Sequence, residues 1–299
     1  MKDCLPHTGS ATVRVRRLAP AIMRPGVEVM ERPTVIGVDV GLSFISPTTG
    51  VCRTTANGGA FMVAHVYADR ASRLAALDDP GEGRPFDLVA IDGPLVPKPR
   101  AVSDRRSCER VFVCAPFQRR CKPGESHVRG SGQALKRAAS DTAGHLAGLT
   151  AHDGAATRFP RVIAGNIVEA FPNAFLGVLL PDEAFDQVPK GRGKKFDALF
   201  EFVRARNVLV PLLDQLEWTD DKLRDALATN PDHDERAALI CALTAVCVWR
   251  GRYTAVGDQE GGWFFLPPWS HWQPWAQRAI EKAKVEVWRD GVARLPPSA

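Results

Sequence analysis

Two aspartates stand where a folded chain seldom leaves a carboxylate. In "TVIGVDVG" Asp39 closes a run of β-branched and aliphatic residues between Thr34 and Gly41, and in "FDLVAIDGPL" Asp92 does the same. A third acid, Glu169, ends the apolar run "VIAGNIVEAFP". Asp234 and Glu235 open the long apolar stretch "DHDERAALICALTAVCVWRGR". A carboxylate at the end of a buried strand is costly unless it is paired or bound to a cation. Three or four of them converging on one sheet edge repel one another and cannot all stay ionised without a counter-charge. A divalent cation with hard oxygen ligands provides that charge. Mg²⁺ or Mn²⁺ suits a few carboxylates plus waters, and such ions drive in-line phosphoryl displacement. The candidate catalytic set is therefore Asp39, Asp92, Glu169 and Asp234, with Asp39, Asp92 and Asp234 as the metal ligands.

Each acid also has a plainer reading. Asp39 can cap a turn, and Asp-Gly-Pro after Ile91 is turn chemistry in its own right. Glu169 can pair with a structural arginine. Asp234 can be the N-cap of the helix it opens. The joint occurrence, in this order and each on the expected type of element, favours a shared site.

The elements that must position these acids follow from periodicity and breakers. Strands are predicted over "TVIGVDVG", "FMVAHVYA", "LVAIDGPLVP" and "RVIAGNIVEAFP". Helices are predicted at "DRASRLAAL", around 103–113 and 131–149, over "NAFLGVLLPDEAF", at two sites between 196 and 229, and over the stretch that starts at Asp232. "APFQRRCKPGESHVRGSG" reads as a long loop, which in a compact domain is functional or mobile. Strands first and then alternating helix and strand indicate an α/β fold with a mixed sheet. Residues 1–32 form a basic leader without consistent period, expected to be loosely ordered. Residues 33–268 form the domain. Residues 269–299 form an aromatic segment and an amphipathic helix that pack back onto it.

The chain has 299 residues, 45% of them hydrophobic, enough for one large core. No apolar run approaches the ~20 residues of a membrane span, and the first residues lack a signal-peptide core. No membrane partner and a cytoplasmic location are expected. Seven cysteines form no zinc-type pairing, since Cys108, Cys114 and Cys121 lack any C-x-x-C. The net charge of +5 is gathered in local clusters, which suit phosphate groups. "KGRGKK" puts Lys194 and Lys195 before a helix, and "PGESHVRGSG" offers Arg129 in a glycine-containing loop, all three as phosphate contacts on DNA or RNA. A Walker A loop, a G-x-S-x-G elbow and H-E-x-x-H are all missing.

Taken in order, "IGVDVG", "VAIDGPLVP", "RSCERVF", "NIVEAFPNAFL", "HDERAALICALTA" and "GGWFFLPP" resemble a widespread family of unknown function, described as predicted nucleases with an RNase H-like fold. The resemblance covers roughly 34–268. It implies an RNase H-like core, a mixed five-stranded central sheet with helices on both faces. It implies acids at the end of the first strand, the end of the fourth and the start of the last helix, matched by Asp39, Asp92 and Asp234. Glu169 matches the family's E-x-x-P strand end. Arg105 falls in the segment after the second aspartate, where a basic residue holds substrate. One departure concerns the last helix, where related nucleases carry an aspartate at the register that Ala237 occupies here. The resulting expectation is a metal-dependent nuclease or phosphodiesterase. Two rivals remain: an actin-like or sugar-kinase-type ATP-binding protein, suggested by "GVDVG", and a non-catalytic binding protein that keeps the fold.

Overall fold

The computed structural model describes residues 32–77, 85–95, 105–121, 126, 130–150, 166–189 and 194–289, and the backbone of 292–294. All of them belong to one compact unit, Arg32–Ala299. Residues 1–31 of the expected leader, and Arg129 in its loop, lie outside the described residues.

The fold is α/β around a mixed sheet, as the element order implies. The strands are β1 (Thr34–Asp39), β2 (Thr49–Thr55), β3 (Phe61–Val66), β4 (Leu88–Asp92), β5 (Ile167–Ala170), β6 (Thr254–Asp258), β7 (Gly262–Leu266), β8 (Glu286–Arg289) and β9 (Val292–Arg294). They lie in the order β3-β2-β1-β4-β5-β7-β6-β8-β9. Strands β1, β4, β5 and β7 run parallel, while β2 pairs antiparallel with both β1 and β3. The sheet has nine strands among the described residues, not the five expected. The other four come from the segment after the last long helix. There Asp258 Oδ1 accepts from the backbone N–H of Glu260 and Gly261 and folds "GDQEGG" into a hairpin turn. The expected terminal helix is short, α10 (Pro274–Glu281), and the chain returns to the sheet as β8.

The central strands are apolar on both sides because both sides are covered. Val35, Leu88 and Ala90 belong to one core and Ile36, Val38, Val89 and Ile91 to the other. The first core also takes in α5 (Pro172–Leu179), α6 (Lys195–Ala205), α7 (Leu209–Gln215) and α8 (Asp221–Thr229), and directly on that face, packed across β1, β2 and β4, lies α9 (His233–Trp249). It approaches so closely because the strands offer glycine beneath it. A Cβ on Gly37 would overlap the backbone of Ala238 and Ala242, and one on Gly50 would overlap the Asp234 carbonyl. On the opposite face lie α1 (Arg70–Leu77) and α4 (Ser131–Ala147), which contribute Leu77, Ala139, Ala143 and Leu146. The expected loop between 115 and 132 contains one more short helix, α3 (Phe117–Cys121), preceded by α2 (Ser107–Val113). Of the tryptophans in the tail, Trp272 and Trp275 are buried, and their indole N–H groups donate to the carbonyls of Pro267 and Leu180.

Candidate functional site: a carboxylate pair at the sheet edge

Strands β1 and β4 pair in parallel with Val35 opposite Leu88, and the register ends with Asp39 opposite Asp92. Side chains alternate along a strand, and paired residues share a face. Gly37 faces α9 and Ala90 shares that core, so Asp39 and Asp92, each two residues on, face α9 as well. Their Cα atoms are one strand spacing apart, about 4.8 Å. Beneath them lies Cys241 of α9. Burial drives its thiol pKa well up, and the negative charges of Asp92 and Asp39 drive it further, partly offset by a hydrogen bond with the Asp92 backbone. Both acids are half-buried, with Cys241 on the side of the helix.

The start of α9 crosses the neighbouring strand. Asp232, not Asp234, is its N-cap: Asp232 Oδ1 accepts from the amides of Asp234 and Glu235, each at 3.0 Å. Asp234 sits in the first turn with its carbonyl over Gly50, which is flanked in register by Asp39 on β1 and His65 on β3. Burial raises the Asp234 pKa. Asp232 and Asp197 add to the rise, and His233 and His65 oppose it. Asp232 is held below the ordinary range: burial acts upward, but the Glu235 and Asp234 amides and His65 outweigh it. His65 Nδ1 lies 3.5 Å from Asp232 and 3.8 Å from Glu235, and His233 Nδ1 lies 3.1 Å from Asp197.

One helical turn before Cys241 stands Ala237, so it shares the stripe of α9 that overlies the aspartate pair. Asp234, by contrast, lies over β2. Among the described residues no group of three or more His, Cys, Asp or Glu side chains stands close enough to hold a metal ion. The fold thus brings Asp39 and Asp92 together and leaves Asp234 one strand away.

Glu169 lies elsewhere. It pairs in register with Ile91 and therefore faces the α4 side of the sheet. There Arg106 Nη1 and Nη2 donate to its two carboxylate oxygens at 2.7 and 2.6 Å, and the Leu95 amide donates to Oε2 at 3.1 Å. Arg106 also donates from Nε and Nη2 to Glu109. Lys136 of α4 is buried beside these groups, and burial lowers its pKa. Burial raises Glu169 despite the opposing guanidinium. Glu109 also loses hydration, but the Arg106 guanidinium and the Arg106 amide bring it below the ordinary range. The network ties down the Leu95 amide, three residues after Asp92 in the chain.

The basic residues are also redistributed. Arg105 is exposed, and its neighbour Arg106 turns inward. Lys194 is exposed, and Lys195 Nζ donates to the Arg119 carbonyl. The residues that sequence reasoning missed are Arg106, Lys136 and His65. Two signals were present: the i, i+3 spacing of Arg106 and Glu109, and the small residues Gly132 and Ala139 on the Lys136 face of α4.

Compared with known protein families, curated proteins and solved structures, the chain matches none. No described helix is long and apolar enough to cross a membrane.

Proposed function

We propose that the chain is a metal-dependent phosphodiesterase acting on DNA or RNA, built on an RNase H-like core. The in-register pair Asp39 and Asp92 carries this reading. The first five strands support it. Their order 3-2-1-4-5, with only β2 reversed, leaves the switch in winding direction between β1 and β4. Open α/β sheets bind ligands outside the carboxyl ends of their strands at such a switch point.

The residues present fit Mg²⁺ or Mn²⁺. Mg²⁺ keeps several waters and is commonly bound through one or two carboxylates together with substrate phosphates, so a two-aspartate site suffices where Ala237 replaces a third ligand. When bound, such an ion polarises a phosphoryl oxygen and lowers the pKa of water. Asp39 and Asp92 would hold it, with the Cys241 side of α9 closing the site from beneath. Asp234, one strand away over β2 and raised in pKa by burial, would be suited to accept a proton from water near the pair. Glu169 and Arg106 position the Asp92 loop.

The test is Mn²⁺-dependent turnover of labelled single-stranded, duplex and branched DNA and RNA. Wild type should cut at least one substrate, and Asp39→Asn and Asp92→Asn should abolish cutting. Cleavage that survives both substitutions refutes the site. Binding without any cleavage favours the non-catalytic reading, which the alanine at 237 keeps in play.

A further inference from the structure

Among the described residues, every large apolar side chain that stands exposed belongs to one place: Leu42 (42%), Phe44 (72%), Ile45 (93%) and Tyr67 (43%). The first three lie in the β1–β2 loop, which begins directly after Asp39. Tyr67 follows β3, and the two segments are tied together by Ala68 N–H to the Ser43 carbonyl at 2.9 Å and Thr48 N–H to the Val66 carbonyl at 3.1 Å. The loop is braced from within. Ser43 Oγ accepts from the amides of Ile45 and Ser46, and Thr48 Oγ1 and Thr49 Oγ1 accept from those of Ser43 and Gly41. A braced loop holds its apolar tip in water, where a slack one could fold it away. Phe44 is five residues from Asp39, so its Cα lies at most ~18 Å from that of Asp39.

We propose that this loop is a base-stacking platform, and that the substrate presents unpaired bases on a single strand beside the carboxylate pair. This deepens the phosphodiesterase reading and rests on it. A phosphate at Asp39 and Asp92 places the flanking bases at the same sheet edge. Aromatic faces stack on bases of any sequence, while a duplex keeps its bases stacked inside and offers the loop only backbone. The net positive charge of the chain suits the same polyanion.

The experiment measures binding of the full chain in EDTA, so that catalysis plays no part. The probes are labelled oligodeoxythymidine and oligouridine, an abasic phosphodiester chain of equal length, and a duplex. Phe44→Ala should weaken binding of the base-bearing strands about 5- to 150-fold, the range for loss of one stacked base. It should leave the abasic chain and the duplex unchanged, and Phe44→Trp should retain wild-type affinity. The proposal is overturned if Phe44→Ala binds base-bearing strands as well as wild type does, or weakens all probes equally. It is also overturned if wild type binds no base-bearing strand, whether or not it sediments with anionic vesicles. Failure of the phosphodiesterase reading looks different: no Mn²⁺-dependent cutting, whatever the binding result in EDTA.

Discussion

Replacing Arg106 with Met keeps most of the side-chain volume and removes the charge. The guanidinium it deletes is 7% exposed, and its partners Glu109 and Glu169 are 1% and 4% exposed, so water cannot replace it. Breaking a buried ion pair from one side costs about 3–5 kcal/mol, because the remaining charge is left uncompensated. Here two carboxylates lose their partner, but Lys136 remains beside them, which places the expectation at the lower end, about 3 kcal/mol. At roughly 2–4 °C per kcal/mol for a domain of this size, the melting temperature should fall by roughly 6–12 °C. The pH dependence has a definite sign. Burial already holds Glu169 above the ordinary range with Arg106 present, so without Arg106 its folded-state pKa rises further. The folded variant then binds more protons than the unfolded chain between the ordinary glutamate value and the raised one. Stability falls as pH rises through that window and recovers as pH drops toward its lower end. Thermal melts of wild type and Arg106→Met should therefore differ more at about pH 8 than at about pH 5. A variant that melts with wild type at both pH values would show that the network contributes nothing, and a deficit that widens toward acid would show that the carboxylates are not what is stranded.

Saturating Mn²⁺ should raise the melting temperature of wild type, by roughly 5–10 °C at a hundredfold excess over Kd, and Asp92→Asn should lose most of that rise. Gly50→Ala forces the start of α9 off β2. It should cost about 1–3 kcal/mol in a denaturant melt and reduce cleavage with it, whereas an unchanged midpoint would mean the helix does not rest there. Asp232→Ala removes the α9 N-cap and should cost about 1 kcal/mol, read by the same melt. Ala237→Asp puts a carboxylate over the aspartate pair. It should lower stability without metal and enlarge the Mn²⁺-induced rise, and a smaller rise would show that position 237 points elsewhere.

The sequence by itself determined that Asp39 and Asp92 end buried strands, that a long helix begins near Asp232, and that sheet and helices mix. These are local facts: an apolar run, a breaker and a cap are set by neighbours in the chain. It could not settle which acids meet. Asp39 and Asp92 meet because β1 and β4 pair without a slip. Glu169 stands one residue before the end of an equally apolar strand, so it is paired with Ile91 rather than with Asp92, and alternation puts it on the opposite face, against Arg106. One residue of register decides between sharing a site and bracing it. The choice of Arg106 over Arg105 follows from where α2 begins, and the place of Asp234 over β2 follows from the two glycines that let α9 down onto the sheet. The four later strands were hidden because each is only three to five residues long and they lie in a segment whose tryptophans read equally well as a packed tail. Only pairing against β5 and against one another makes them a sheet.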